Sequence, residues 1–458
     1  METTKNQLNN ILEQSFGLST QEKKVALLEN LYIAGYLQDE KIWEAIFLMQ
    51  FDKDGNKINL WNKEENEINS AFFTIISDLH NSNSNQEDPD KFDATKLLNN
   101  FDKNKTLDKQ AIENLIVYLS QNAFGREKGA ERNEIQKQNW MDIHKDRYLK
   151  NAAKLGMIDE ILPKDKNYTE TWIMGAARNR LEIRIKYLKN LIDKEIINSG
   201  EIRLLTGERE LWIEIDKINE DKQEAKQYIL NLAKQNNIKT NKSEPFTIRN
   251  IADSSRTYLN YADNENRKVT ETMMAKDIFN SVFGYEIYNI IDSKTDFGKS
   301  RPDTGTNAGD ASEIIKERIK KEEIKNPKIL IISNQPYCER QAINNKRIAD
   351  SICNSSIFFD FTGEEIGKEN AEKMLQVIHS ETACLLYEYF ATQMENELRK
   401  VPVENLMYST RNNEIEIDKM PNITESRAIA TLDQSPINTT IPKKQAPLSQ
   451  KDIAANPR

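Results

Sequence analysis

Between about Thr171 and residue 361, short apolar runs alternate with helical patterns, and most runs give way at once to a polar or glycine turn. No other feature of the chain restricts its fold as much. The runs at 171–174, 202–206, 286–291, 328–332 and 356–361 read as strands. Between the first two, Leu181, Ile185, Leu188 and Ile192 recur at steps of four, three and four, the apolar face of a helix. Strand, helix, strand in succession predicts βαβ units with right-handed crossovers and a parallel sheet. Turns that follow parallel strands emerge on one edge, the edge where open α/β folds hold ligands.

Four segments carry these turns: Trp172-Ile-Met-Gly-Ala-Ala-Arg-Asn-Arg180, Ile202-Arg-Leu-Leu-Thr-Gly-Glu-Arg209, Arg301-Pro-Asp-Thr-Gly-Thr-Asn307 and Ile329-Leu-Ile-Ile-Ser-Asn-Gln-Pro-Tyr-Cys-Glu-Arg340. In the first, Gly175 permits a tight turn into a helix whose free amides suit an anion, and Arg178 or Arg180 can add charge. The bland alternative is a plain strand-to-helix turn with solvated arginines. In the second, Gly207 is followed by Glu208 and Arg209, which either face a ligand or pair with each other. In the third, Asp310 and Glu313 resemble a capping box that starts a helix over 311–323. A cap alone does not call for Arg301, Thr304, Thr306 and Asn307 together; these donors and acceptors suit a polar ligand. In the fourth, Asn334 and Gln335 end the strand, Pro336 suits a first helical position, and Arg340 lies about one turn in. Cys338 at a helix start reads as a partly buried thiol, with a reactive thiolate as the alternative.

Outside this region the chain changes character. Residues 1–165 read as a helical domain, with a helix-start signature at Ser19-Thr-Gln-Glu22 ahead of Leu27, Leu28, Leu31 and Ile33. A polar stretch at 81–90 reads as a loop. Phe51–Ile58 and Phe101–Glu113 resemble EF-hand loops, but Lys57 and Leu107 replace the turn glycine and Lys63 replaces a closing acid. Degenerate hands without metal are the expectation. Residues 213–284 read as a polar, helical insertion or cap. Beyond about Arg411 scattered Pro, Thr, Ser, Asn and Gln predict a disordered tail within residues 401–458.

Composition narrows the function classes. A net charge of −9 offers no general attraction to nucleic acid or anionic membrane. No apolar run approaches the roughly 20 residues of a membrane span. Three scattered cysteines argue against a disulfide framework, and three histidines without ligand spacing argue against zinc. The first residues lack the apolar core of a secretory signal, so a cytoplasmic protein is expected. Secretion without a signal peptide stays open.

The four segments together resemble the YdcF-like family, which includes the SanA and ElyC envelope proteins. Thr270-Glu-Thr-Met-Met274 stands where that family has a Thr-Glu-Ala segment. Thr306-Asn307 matches its Thr/Asn turn, and Gln335-Pro-Tyr-Cys-Glu-Arg340 its final segment. The resemblance covers about residues 170–362. Thr272 departs from the usual alanine, Glu208 from a second glycine, and no histidine accompanies Tyr337. The resemblance implies a Rossmann-like α/β domain, here residues 166–400, with a polar site at the strand ends for a small anionic, nucleotide-like molecule. It names no cofactor and no reaction.

Two functions are compatible with this reading. In one, the domain binds an anionic metabolite and, as an enzyme, transfers or hydrolyses a phosphate-bearing group. Glu208 and Glu271 are then the candidate acid–base residues, since carboxyls at strand ends can be shifted by burial. Gly175, Arg178, Gly207, Arg209, Arg301, Thr304, Thr306, Asn307, Asn334, Gln335 and Arg340 are the candidate ligand-binding residues. In the other, the chain is a non-catalytic interaction or effector-type protein whose helical N-terminal domain holds a protein partner.

Overall fold

The computed structural model describes residues 139–398, apart from 217–220, 242–243, 250–254, 263–265, 285–286, 296–301 and 354–356, together with parts of 26–34, 61–68, 107–120 and 406–415. The EF-hand-like loop at 51–58, the loop at 81–90, Arg301, most of the expected N-terminal domain before residue 139 and the tail beyond 415 lie outside the described residues. Of the loop at 101–113 only Leu107–Asp108 is described, paired in parallel with a strand at Leu406–Thr410.

Five strands form one all-parallel sheet: β1 (Asn167–Met174), β2 (Asn198–Gly207), β3 (Tyr288–Ser293), β4 (Lys328–Asn334) and β5 (Phe358–Glu364). Each coincides with an expected run, but the ends move. Strand β2 begins at Asn198 because the polar residues Asn198–Glu201 pair where the sheet meets solvent. Apolar content marks only the covered part of a strand.

Successive side chains point to opposite faces, and both faces are covered. Ile173, Leu204, Leu330 and Ile332 pack with Leu181, Ile185 and Leu188 of α2 (Arg178–Asp193). The same layer takes in α3 (Lys222–Gln235) and, through Met274, Ile278 and Phe279, α4 (Glu271–Phe283). On the other face Trp172, Met174, Leu205, Ile329 and Ile331 pack with Ala311 and Ile315 of α5 (Thr304–Lys320) and Ala349 of α6 (Cys338–Cys353). Residues 213–284 are thus only partly an insertion. Helix α4 is a layer helix of the sheet, while α3 and a hairpin of Phe246–Arg249 with Ser255–Tyr258 are added around it.

The strand order is β5-β4-β1-β2-β3. The chain runs outward from β1 to β3, then returns to the other side of β1 and runs outward again. The reversal lies between β1 and β4. In open α/β folds such a point, at the carboxyl ends of two strands whose connections leave in opposite directions, is where ligands are held. Met174–Gly175 and Asn334–Gln335 occupy those ends.

Two local expectations need correction. Helix α5 begins at Thr304, not 311: Asp303 is the N-cap, and its carboxylate accepts from the Thr306 amide at 2.9 Å. The small residues of Thr304–Gly309 disguise this first turn as loop, and Asp310 lies inside the helix. Helix α6 begins at Cys338, two residues after Pro336, which follows a cis peptide bond.

Helix α1 (Lys145–Lys154) packs onto α7 (Leu375–Leu398), where the Tyr148 hydroxyl lies 3.2 Å from both His379 Nδ1 and Thr382 Oγ1. Ile161 exchanges backbone bonds with Gly363 of β5 at 3.0 and 3.2 Å. Residues 145–161 therefore lie against the α/β core. At the amino edge, opposite these strand ends, the wholly buried Glu170 accepts from Arg203 at 2.7 and 3.0 Å and from the Trp172 indole at 2.8 Å. That end is closed by its own pairing. No helix among the described residues is long and apolar enough to cross a membrane.

Candidate functional site at the strand ends

Gly175 follows β1, and its amide donates to the Leu205 carbonyl at 2.7 Å. A Cβ here would meet the Glu271 carboxylate and stand 2.8 Å from that carbonyl. Glycine is thus required by close approach of another element. Glu271, the first residue of α4, accepts from Arg209 Nε at 2.9 Å. Arg209 is buried and also grips Asp216 through both terminal nitrogens, at 2.9 and 3.0 Å. Two carboxylates outweigh the cost of burying its charge and hold its pKa above the usual arginine value. From the other face, Asn307 Nδ2 reaches the same Leu205 carbonyl at 3.2 Å. Gly175, Arg209, Glu271 and Asn307 thus meet at the ends of β1 and β2.

Asn334 joins them through a residue that the motif reading overlooks. The fully buried Arg184 donates to Asn334 Oδ1 at 2.8 Å and to the carbonyls of Met174 and Gly175 at 2.6 and 2.9 Å. It ties the two strand ends together at the reversal point. Burial, then the nearby Arg180 guanidinium, works against its charge. A readable signal exists: Arg184 falls among Leu181, Ile185 and Leu188, where a cation has no business unless it is partnered.

Arg178 opens α2. Its guanidinium carbon lies 3.4 Å from the Tyr228 ring centroid, a close cation–π contact. Its Nε and Nη1 atoms are buried and have no hydrogen-bond partner among the described residues. The N-cap is Ala177, which has no capping side chain, and the first turn has no acidic residue. Arg178 and Arg180 therefore add positive charge to the end of a helix that is already positive. Arg180 donates to the Tyr337 hydroxyl at 2.5 Å.

The remaining candidates are placed as follows. Gly207 ends β2, with Pro302 Cγ 2.7 Å and the Ser293 carbonyl 2.8 Å from where a Cβ would stand. Thr304 and Thr306 lie in the first turn of α5. Gln335 turns toward the carbonyls of Gly156 and Asp159, at 2.8 and 2.7 Å. Arg340 is buried and donates to Glu381 of α7 at 2.7 Å, so its charge is taken up inside the protein. Glu208 accepts from the Thr295 amide at 2.8 Å, with Lys294 at 3.4 Å. Burial raises its pKa, but these donors more than offset that, and it lies below the ordinary value. Glu208 lines a cleft of about 540 Å³ with Arg209, Glu210, Trp212 and Tyr258; Gly175 is not among the cleft's lining residues.

Cys338 is fully buried, and burial pushes its thiol up to about 12. No group of His, Cys, Asp and Glu among the described residues is arranged to hold a metal ion. Comparison of the chain with protein-family models, with curated proteins and with solved structures finds no match.

Proposed function

We propose that this chain is a YdcF-like, Rossmann-like α/β protein that binds a small anionic ligand of the phosphate or nucleotide type at the ends of β1, β2 and β4. The observation that carries this reading is Arg178: a guanidinium with two buried, unpartnered nitrogen atoms, at an uncapped helix start with no acid in its first turn. Such an arrangement is electrostatically costly alone and is relieved by an anion. Gly175 lets that anion approach the backbone, and Arg180 supplements the charge. Thr304, Thr306, Asn307 and Asn334 orient the ligand. Glu271 is the favoured acid–base group if chemistry follows, since its carboxylate abuts Gly175; Glu208 faces the neighbouring cleft. Gln335 and Arg340 support the strand end from behind.

Calorimetric titration of the full chain with inorganic phosphate and with adenosine monophosphate tests this. Binding is expected, and Arg178→Gln should weaken it by about 1.5–3 kcal/mol, the scale of a charge-assisted hydrogen bond. The Lys294→Gln control should bind as the parent does. Absence of binding, or an Arg178→Gln variant of unchanged affinity, would overturn the proposal.

A further inference from the structure

Three asparagines on the α5–α6 side of the same edge share one peculiarity. Each has committed its amide nitrogen to the protein. Asn307 Nδ2 donates to the Leu205 carbonyl at 3.2 Å, Asn344 Nδ2 to Glu388 Oε1 at 2.9 Å, and Asn345 Nδ2 to the Gln341 carbonyl at 2.7 Å. The partners of Asn307 and Asn345 are backbone carbonyls, which only accept, so only the NH2 group can face them and those two orientations are fixed; Asn344 faces a carboxylate oxygen in the same sense. The amide oxygens are left over: the Oδ1 atoms of Asn307, Asn344 and Asn345 have no donor among the described residues. The side chains are not at the surface, where water would serve, for the residues are only 7%, 5% and 0% exposed. Buried acceptors of this kind are rare enough that each calls for a partner.

Their placement is specific. Asn307 sits in the first turn of α5 against the end of β2. Asn345 also lies 3.7 Å from Met174 Sδ, at the end of β1. The Asn344 amide is 3.9–4.0 Å from where a Cβ of Gly305 would stand, at the start of α5. On the α2 side the edge presents unpartnered donors, on Arg178. On the α5–α6 side it presents unpartnered acceptors. A ligand that satisfies both carries an anionic group at one end and O–H donors at the other.

We infer that the ligand is a phosphorylated sugar or the sugar phosphate of a nucleotide, with Asn307, Asn344 and Asn345 accepting from its hydroxyl groups. This rests on the anion-binding reading above. A site built to accept hydroxyl donors discriminates strongly against an analogue that lacks them, because its acceptors are then left unpaired.

Calorimetry of the full chain with ethyl phosphate and with ribose 5-phosphate separates the possibilities. The two share a phosphate monoester, and only the second brings hydroxyl donors. Ribose 5-phosphate should bind at least tenfold more tightly. Asn307→Ala should erase most of that advantage while leaving ethyl phosphate affinity as it was. The comparison of probes on the unaltered protein decides the matter even if the variant folds poorly. Equal affinity for the two probes would overturn this inference alone and would mean that ordered water satisfies the asparagines. Binding of neither would overturn it together with the anion reading.

Discussion

Among the cationic residues at the strand ends, partnering separates structural from available charge. Arg184, Arg209 and Arg340 are all buried, and each is spent on a protein acceptor. Arg340→Met should therefore act on stability. It strips a guanidinium from the wholly buried Glu381, and breaking a buried pair costs about 3–5 kcal/mol. A urea titration reads this as a lowered midpoint. Cys338 gives a second residue-scale expectation. With its thiol pushed up to about 12, only on the order of one molecule in ten thousand is thiolate at pH 8. Iodoacetamide at that pH should leave Cys338 unmodified in the native protein and label it after unfolding, with peptide mass spectrometry as the readout. The sequence shows these residue types at these turns. It does not show which arginine finds a carboxylate, because Glu381 and Asp216 are brought in by other elements.

At the scale of elements, the apolar alternation located all five strands of the sheet, since burial on both faces writes a continuous signal. Ends were less legible. The start of α5 rests on one Asp303 side chain among small residues, and the polar beginning of β2 rests on pairing with β1. The meeting of β1, β2 and α4 at Gly175 was legible only as a glycine in a turn. Its reason is the Glu271 carboxylate, which arrives from nearly a hundred residues away. Gly175→Ala should cost about 1–3 kcal/mol, the usual penalty for overpacking a filled site. It should also lower affinity for inorganic phosphate. Thermal unfolding and titration of the same variant check both effects.

At the scale of the molecule, the placement of residues 145–161 bears on where the α/β domain can be cut. Tyr148, Leu149, Ala152 and Leu155 are buried, and Ile161 pairs with β5. A fragment of residues 139–400 should melt in one cooperative transition, above the melting temperature of a 166–400 fragment. Equal melting temperatures would show that these contacts contribute little. The sequence by itself determined the parallel α/β region, the approximate position of its strands, and the residue types at its turns. Each of these is set by local periodicity and by turn chemistry, which neighbours in the chain dictate. Only the tertiary structure decided the strand order, and hence the reversal between β1 and β4. It alone decided that Arg184 bridges that point and that Arg178 stacks on Tyr228 with two guanidinium nitrogens lacking a hydrogen-bond partner among the described residues. Those outcomes depend on groups far apart in sequence meeting in a low-dielectric interior, where a polar or charged group left without a counterpart is costly.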